Sequence, residues 1–551
     1  MKLILKSIIS TCLLFIAITS YAQDPKTESP KGTLTEEIEV IRPYKPVLAD
    51  AVKIRRNPDL STNKPFKPNL SYNILDKKLE LNTGIRELEA QKLADEVPNQ
   101  LTNNYAKIGA GSMSTGLGEI YVNTGKDQAL QAGVFAKHLS QQGSFNKQQF
   151  SNQSLGVFGR SIGDVSTIAG RTSFDRRSTF FYGFNPLLSS TNPDPEKQSF
   201  NLIEGEGEFF NNFSGEADRF NYALKVNGYL FNNINDGRET AFALSTYLTK
   251  AFNKFSAGIN ASADFTGTKD SQYNLGNNIL RGNPFVKYQG NGFQLNLGLN
   301  IVQEFGDNSR LNVLPAASVE LPVSAEYAIL FAGFKGDVLK SSLRDFSYEN
   351  MFLNNNISIK NAVEKSNAYA GIKGNAGAGF GYKAMAFFKK IEDMPLFVNN
   401  ASNFRKFDVI YDNGQANVTG FEGEISLKAS NIFTLTGKLQ ATDYDLATEK
   451  EAWFKPGLIV SSNVRANINR KLSFDGEVLF TGDTYAKIPN PAGGNVRIKS
   501  FIDLSTGAEY RLNNKFGLYA RVNNILGNGY QQYLYYPKLG RSIFGGLNFS
   551  F

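Results

Sequence analysis

The sequence has very few of the residues that form disulfides, metal sites and catalytic centres. It contains a single cysteine, Cys12, and a single histidine, His138. One cysteine cannot form an intramolecular disulfide, and zinc sites need several His or Cys ligands. His138 follows an alternating run at 134–137, so we interpret it as a polar residue at a strand end. We therefore predict that the protein is not an enzyme and has no metal site and no cofactor.

Long apolar runs are absent after residue 22, which excludes helical membrane spans. At the N-terminus, Lys2 and Lys6 precede an apolar run at 8–18, and Ala22 ends a site of the A-x-A kind. This order predicts a secretory signal peptide, residues 1–22, which takes Cys12 with it when it is cleaved. The alternative is an uncleaved anchor helix, but the run is shorter than the roughly 20 residues that a spanning helix needs.

Charge of one sign is not concentrated anywhere in the chain. The formal net charge is +8, and the basic residues are spread without long basic runs. This distribution predicts no nucleic-acid partner.

Glycine, phenylalanine and tyrosine are abundant, with 50, 43 and 24 residues. From Asn104 to the end, apolar and polar residues alternate in runs of strand length, for example at 293–301. Marking such runs gives about 22 strands, and 14 to 20 longer ones would also fit. A single sandwich domain of about 100 residues is too small for them. We therefore predict an all-β fold, a transmembrane antiparallel β-barrel, over residues 104–551.

The last predicted strand, 542–551, has one apolar face and ends the chain on an aromatic residue. It should pair with the first strand, near 105–108, because an open edge would be a risk. Phe549 and Phe551 are its candidate assembly signal. On other strands, Glu422 and Glu424, and likewise Asp475 and Glu477, lie opposite apolar faces and are candidates for a hydrated lumen.

Turn residues and polar stretches indicate the connections between strands. We expect tight turns at 291–292 and 412–414, among others. Longer loops are expected at 185–199, 268–283, 341–365, 392–403 and 482–496. Tyr530, Tyr533, Tyr535 and Tyr536 fit an aromatic girdle at the membrane interface.

Residues 23–103 differ in composition from the rest of the chain. They carry prolines at 43, 46, 58, 65 and 68, which exclude a continuous helix. We predict a periplasmic arm or reduced plug here. Its extended part suits docking to a partner. The residues at the centre of this docking prediction are Arg42, Pro43, Tyr44, Lys45 and Pro46.

The C-terminal residues resemble a known family. The strand at 516–526 contains the sequence R-V-N-N-I-L, and Tyr536 to Arg541 follow the pattern Y-P-x-x-G-R before the final Phe551. Together they are similar to the last two strands of TonB-dependent outer-membrane receptors of the Bacteroidetes type, with a reduced or absent plug. The resemblance implies the outer membrane of a Gram-negative bacterium. It also implies contact with outer-membrane lipid and the assembly machinery.

One further segment carries the same resemblance, because it is similar to the TonB box, which pairs with TonB by strand addition. Its residues are Glu36, Glu37, Ile38, Glu39 and Val40. TonB, or other envelope proteins and lipoproteins, are therefore the expected protein partners.

Two functions remain open at this point. The first is a receptor- or porin-like barrel for solute passage or binding across the outer membrane. The alternative is a non-transporting accessory barrel subunit of a larger envelope complex, which docks periplasmic partners through residues 23–103.

Overall fold

The structure is a computed structural model, and it describes residues 104–124, 129–185, 194–212, 220–324, 327–377, 379–429, 432–488 and 494–551. Among these residues, no helix is both long and apolar enough to cross a membrane.

The described chain is almost entirely β-strand, with one short helix, α1 (Leu343–Glu349). In chain order the strands are β1 (Tyr105–Gly111), β2 (Thr115–Asn123), β3 (Leu130–Gln142), β4 (Gln149–Ile162), β5 (Ser166–Phe180), β6 (Lys197–Asn211), β7 (Phe220–Asn233), β8 (Arg238–Phe252), β9 (Phe255–Lys269), β10 (Asn274–Gln289), β11 (Gln294–Gly306), β12 (Arg310–Ser324), β13 (Ala328–Leu339), β14 (Ala362–Asn375), β15 (Phe380–Asn399), β16 (Phe407–Ala429), β17 (Phe433–Asp445), β18 (Leu458–Asn467), β19 (Leu472–Thr481), β20 (Thr484–Ile488), β21 (Gly494–Ile498), β22 (Phe501–Arg511), β23 (Phe516–Asn523), β24 (Gln531–Tyr533), β25 (Tyr536–Pro537) and β26 (Ser542–Ser550).

Twenty-two of these strands form one closed antiparallel barrel. Each pairs with the next barrel strand, and β26 pairs with β1, so that Ile108 lies opposite Leu547. The 22-stranded sheet confirms the predicted fold class, and the pairing of the last strand with the first is also confirmed. The remaining strands form two small hairpins, β20 with β21 and β24 with β25, inside connections of the barrel.

The two ends of the barrel differ in their connections. The end that holds the start of β1 and the end of β26, the terminal end, has tight turns such as 253–254, 290–293 and 512–515. The opposite end, the loop end, carries the longest connections, which are 181–196, 340–361, 446–457, 482–500 and 524–541. A barrel with an even number of strands places the start of its first strand and the end of its last strand at the same end.

The two faces of the barrel wall also differ. On β12, exposed Leu311, Val313, Val319, Leu321 and Val323 point to one side. The helix α1 packs against the opposite face of the wall, where it contacts the buried Glu239 of β8. The face that α1 contacts is the inner face of the barrel. Period-two alternation therefore places the apolar side chains on the outside of the barrel and the charged ones inside.

Some predicted connections are wrong. Most of 268–283 is strand, because β9 runs to Lys269 and β10 begins at Asn274. The polar residues there suggested a loop, but several of them lie on β10 and point into the barrel; Arg281, for example, binds Asp337 on β13 at 2.8 Å. Similarly, β15 continues to Asn399, so the expected loop at 392–403 is reduced to 400–406.

The predicted turn at 412–414 is a β-bulge inside β16. The pairing with β15 shifts register between Glu392 and Met394, opposite Gln415 and Asp412. Gly414 takes a φ of 145°, which favours glycine, and Asp393 on the partner strand also has a positive φ. The turn-forming residues are therefore used to bend a long strand rather than to reverse the chain.

Candidate functional site at the loop end

The connection 340–361 between β13 and β14, here called the crossing loop, begins with α1. Ser342 is its N-cap, and the backbone N–H of Asp345 donates to the Ser342 hydroxyl at 3.1 Å. Ser342 and Asp345 follow the capping pattern of a small polar residue and an acid three positions later. The helix ends at Glu349 with Asn350 as its C-cap, and the chain then runs without a further helix or strand to β14.

Glu239 on β8 holds the first turn of α1 against the barrel wall. Its carboxylate accepts from the backbone N–H groups of Leu343 at 2.7 Å and Arg344 at 3.2 Å. It also accepts from the hydroxyls of Tyr229 at 2.8 Å and Thr268 at 2.7 Å. Glu239 is only 1% exposed. A buried carboxylate with several donors at a helix N-terminus satisfies N–H groups that the helix itself leaves free.

Charged contacts extend this attachment on either side of Glu239. Lys340 binds Asp264 and lies 2.6 Å from the Thr266 hydroxyl, and burial lowers the pKa of Lys340 below its usual value. The guanidinium of Arg344 lies 3.8 Å from the centre of the Tyr229 ring, a cation–π contact. The start of the crossing loop is therefore fixed by charge as well as by helix capping.

The far end of the crossing loop is fixed at Asn361. Its side-chain amide donates to Glu304 at 2.8 Å and to Asn277 at 2.8 Å. Arg310 donates to the Asn361 carbonyl at 3.1 Å and binds Glu304 at 2.5 Å. The backbone N–H of Ser341 donates to the Asn361 side chain at 2.9 Å, so the two ends of the loop are also tied to each other.

Between these ends, the crossing loop packs into an aromatic cluster. The rings come from the crossing loop, from strands on two sides of the barrel, and from three other connections, 181–196, 446–457 and 524–541. The cluster comprises Tyr182, Phe200, Phe231, Phe346, Phe352, Phe397, Phe407, Phe454, Tyr533 and Tyr536.

Two tyrosines join the cluster to neighbouring backbone. Tyr536 is 2% exposed, stacks on Phe352 with 3.6 Å between ring centres, and donates its hydroxyl to the Arg405 carbonyl at 2.5 Å. Tyr533 donates to the carbonyl of Glu349 at 2.7 Å. Burial raises the pKa of Tyr536 well above its usual value, so the hydroxyl remains a donor even at alkaline pH. Each buried hydroxyl therefore has its partner.

The cluster spans the bore of the barrel. Phe200 and Phe231 belong to β6 and β7, whereas Phe397 and Phe407 belong to β15 and β16, nearly opposite in the 22-strand ring. Strands about 4.8 Å apart and tilted by about 40° give a barrel of this size a diameter of about 40 Å. Opposite walls can share one buried cluster only if connecting segments fill the space between them, and the crossing loop does so.

A second buried carboxylate, Asp412 at the β16 bulge, fixes the connection 446–457. It accepts from the backbone N–H groups of Ala447 at 2.8 Å, Thr448 at 2.7 Å and Glu449 at 3.0 Å. Glu449 in turn accepts from the indole of Trp453 at 2.7 Å, and Trp453 is buried. The loop end is thus held together by wall carboxylates that bind the backbone of its connections.

The four lumen candidates lie opposite exposed apolar residues, and three of them, Glu424, Asp475 and Glu477, bind a cationic side chain. Glu424 lies 3.4 Å from Lys438, and Glu422 is paired across the sheet with Gln440. Asp475 and Glu477 on β19 both bind Arg521, at 2.5 Å and 2.9 Å.

The two pairs of carboxylates are on different strands, β16 and β19, and neither pair belongs to the aromatic cluster.

Phe549 and Phe551 lie at the terminal end. Phe549 packs on Phe516 with 4.8 Å between ring centres, and Phe551 stacks on Phe549 at 5.4 Å. The backbone N–H of Phe551 donates to the Asn104 carbonyl at 2.9 Å, which extends the pairing of β26 with β1. Residues 1–22, the segment Glu36–Val40 and the segment Arg42–Pro46 lie outside the described residues.

The tyrosine prediction needs correction. Tyr533 and Tyr536 do not lie in an interfacial girdle, because they are buried in the aromatic cluster at the loop end. Tyr530 stacks on Phe501 and donates to Asp503 at 2.6 Å. Local sequence cannot distinguish the two roles, because the rings that bury Tyr536 come from positions more than a hundred residues away.

His138 is exposed on β3, paired with Gly118 on β2. Within the described ranges, no group of three or more His, Cys, Asp or Glu side chains is arranged to hold a metal ion.

Comparison with known proteins shows that the fold of this chain is similar to that of several solved structures. The sequence matches no protein-family model and no curated protein. Among solved structures, the closed form of the ferric-catecholate import receptor Fiu from E. coli K12 has a TM-score of 0.63 at 11% identity, over 82% of this chain and 82% of that chain. The FrpB iron transporter from Neisseria meningitidis has a TM-score of 0.63 at 12% identity, over 82% of both chains.

The siderophore receptor PirA from Acinetobacter baumannii is also similar, with a TM-score of 0.59 at 12% identity, over 82% of this chain and 80% of that chain. At these identities the similarity bears on the fold alone. All three neighbours are receptors or transporters by name.

Proposed function

We propose that this chain is a receptor-like β-barrel of the outer membrane of a Gram-negative bacterium, which binds a solute at its loop end and passes it across the membrane. The closed 22-strand barrel, with its apolar outside, charged inside and blocked loop end, is the observation that carries the proposal. The proposal divides the chain into a signal peptide (1–22), an arm or reduced plug (23–103) and a barrel (104–551).

The outer surface supports a membrane location. On β12 the exposed apolar face runs from Leu311 to Val323, which is twelve residue steps. At about 3.3 Å per residue this is about 40 Å along the strand, or about 30 Å in height after a tilt of about 40°. The hydrocarbon core of a bilayer is about 30 Å thick. At the terminal end, the aromatic ring of Tyr288 packs against those of Phe255 and Phe293. An interfacial aromatic girdle is expected at this position.

The inner face supports a solute pathway lined by paired charges. Glu422, Glu424, Asp475 and Glu477 would set the electrostatic preference of this pathway together with Lys438 and Arg521. We assign no catalytic role to any residue, since His138 is exposed and pairs with a glycine across the sheet.

A receptor fits the loop end better than an open porin does. The crossing loop and the aromatic cluster occupy the bore, so solute passage needs a conformational change rather than free diffusion. We propose that Glu36, Glu37, Ile38, Glu39 and Val40 couple this change to TonB by strand addition, as the resemblance to the Bacteroidetes type of receptor implies. The solute class we propose to test first is a ferric chelate, because the similar structures include receptors for such complexes.

Binding can be measured with an internal probe, because Trp453 is the only tryptophan and lies at the loop end. We expect saturable quenching of Trp453 fluorescence by the ferric complex of a catecholate or a hydroxamate chelator. The iron-free chelator serves as the control and should quench much less. If neither ferric complex quenches in a saturable way, the protein is not a ferric-chelate receptor.

The second candidate is an accessory barrel subunit of an envelope complex. The hydrogen bonds that fix both ends of the crossing loop favour it, because a permanently closed barrel would suit a structural role. In this case residues 23–103 would dock lipoproteins or other envelope proteins, through Arg42, Pro43, Tyr44, Lys45 and Pro46. Affinity purification from cells with and without residues 42–46 replaced by Gly and Ser tests this. If no protein is lost on replacement, the docking role is wrong.

A further inference from the structure

We infer that the permeability barrier of the barrel is its own loop end. The crossing loop and the aromatic cluster close the bore to ions. This inference rests on the proposed membrane location, because a permeability barrier has meaning only if the barrel spans a bilayer.

The first argument is the path of the crossing loop. It leaves the wall at β13, contacts β8, and joins rings from β6, β7, β15 and β16 in one cluster. Its residue Leu353 forms a bridge with Phe407, and the N–H of Asn354 donates to the Phe407 carbonyl at 2.8 Å. The loop therefore reaches the side of the barrel opposite β6 and β7 and is paired there with backbone.

The second argument is that the closure is packed like a protein interior. Phe407 has no exposed surface, and Leu343, Leu353 and Ile357 of the crossing loop are also buried. Protein interiors leave few voids larger than a water molecule. A hydrated ion could cross this layer only by displacing the rings, and it would lose its hydration on the way.

The third argument is that the crossing loop is fixed at three places. Glu239 holds its first turn, Glu304 holds its last residue, Asn361, and the Tyr533 hydroxyl holds Glu349 near its middle. A segment fixed only at its ends could swing aside with thermal motion. The middle contact comes from the connection 524–541, so displacement of the loop must also break contacts with a second connection.

Conductance in planar lipid bilayers tests the inference with the full mature chain, residues 23–103 included. The first variant carries Tyr533→Ala and Tyr536→Ala, which remove two rings and both hydroxyl contacts from the cluster. The second replaces residues 343–359 by a short Gly-Ser segment, which removes α1 and the apolar side chains of the crossing loop. We expect no steady current from the wild type, and from each variant a steady current at least tenfold above the leak of the protein-free bilayer.

The matched control is Tyr485→Ala, because Tyr485 lies on β20 at the same end but is exposed and outside the aromatic cluster. It should behave as the wild type does. Heat-modifiable migration on gels identifies the variants that contain a folded barrel. If both folded variants stay silent, the barrier lies elsewhere and the inference is overturned; steady current from the wild type overturns it as well. If the wild type folds but never inserts into bilayers, the proposed membrane function fails instead.

Discussion

At the scale of single residues, buried carboxylates on the barrel wall organise the loop end. Glu239 and Asp412 each accept backbone N–H groups from a connection that is distant in sequence, and Asp264 and Glu304 bind cationic or amide side chains. Hydrogen bonds to a charged group are stronger than neutral ones, and each is worth roughly 1.5–3 kcal/mol. A few acids can therefore hold long irregular segments in one conformation.

Replacing Glu239 by alanine should loosen the crossing loop. The change removes two hydrogen bonds to its backbone, each worth roughly 1.5–3 kcal/mol, and so should raise the open population of the loop by roughly a hundredfold or more. Trypsin cleavage after Lys340, Arg344 or Lys360 measures that population when opening is fast. Asp236→Ala is the control, because Asp236 is exposed in the connection that precedes the same strand. Equal cleavage rates in the two variants would contradict the role of Glu239.

A pH-dependent attachment is expected at the hairpin formed by β20 and β21. The Arg497 guanidinium and the Ser500 N–H bind Asp483 and lower the pKa of its carboxyl below the usual value. Because the folded-state pKa is lowered, this contribution is complete above about pH 4 and is lost as the pH falls through the folded-state value. We expect pepsin to cleave 484–498 in the wild type only at the lowest pH values, and in Asp483→Asn at every pH tested. Identical pH profiles would show that this pair does not hold the hairpin.

At the scale of the elements, β26 closes the barrel. It pairs with β23 on one side and with β1 on the other, and Phe551 continues that pairing through Asn104. Phe551 is 51% exposed and stacks only on the ring beside it, so its contribution to the packing of the folded barrel is small. The assembly role of Phe549 and Phe551 stays a prediction, which a deletion can test.

Deleting Phe551 should reduce the amount of barrel in the outer membrane several-fold and leave the thermal stability of the inserted protein nearly unchanged. The measurement compares outer-membrane levels with the temperature at which heat-modifiable migration is lost. Phe145→Ala is a suitable control, because Phe145 is an exposed aromatic residue in a connection at the loop end. Normal levels of the Phe551-deleted protein would show that this residue is not an assembly signal.

Regular strands were predictable from the sequence, whereas the loop end was not. A strand such as β11 repeats its pattern every two residues, and each repeat depends only on which face of the barrel wall the side chain occupies. The inward-facing polar residues of β10 suggested a loop instead, because the partners that they bind, such as Asp337, are distant in sequence. The burial of Tyr536 by Phe352 and Phe407 is likewise a long-range contact, which no local pattern contains.

At the scale of the whole molecule, the barrel is asymmetric along its axis, with tight turns at one end and a packed closure at the other. A receptor in the outer membrane would direct its loop end to the outside and its chain termini to the periplasm. The sequence makes this orientation easy to test, because Cys12 lies in the predicted signal peptide and is the only cysteine. Single cysteines placed elsewhere should then be the only reactive thiols of the mature chain.

We expect Asn146→Cys and Asn528→Cys, at exposed positions of the loop end, to react with a membrane-impermeant maleimide on intact cells. Arg470→Cys and Asn514→Cys, in exposed turns of the terminal end, should react only after the outer membrane is made permeable. The two pairs control for each other, because all four side chains are exposed and differ only in the end of the barrel that carries them. Labelling of the terminal-end pair alone on intact cells would reverse the orientation, and with it the proposal that solute enters through the crossing loop.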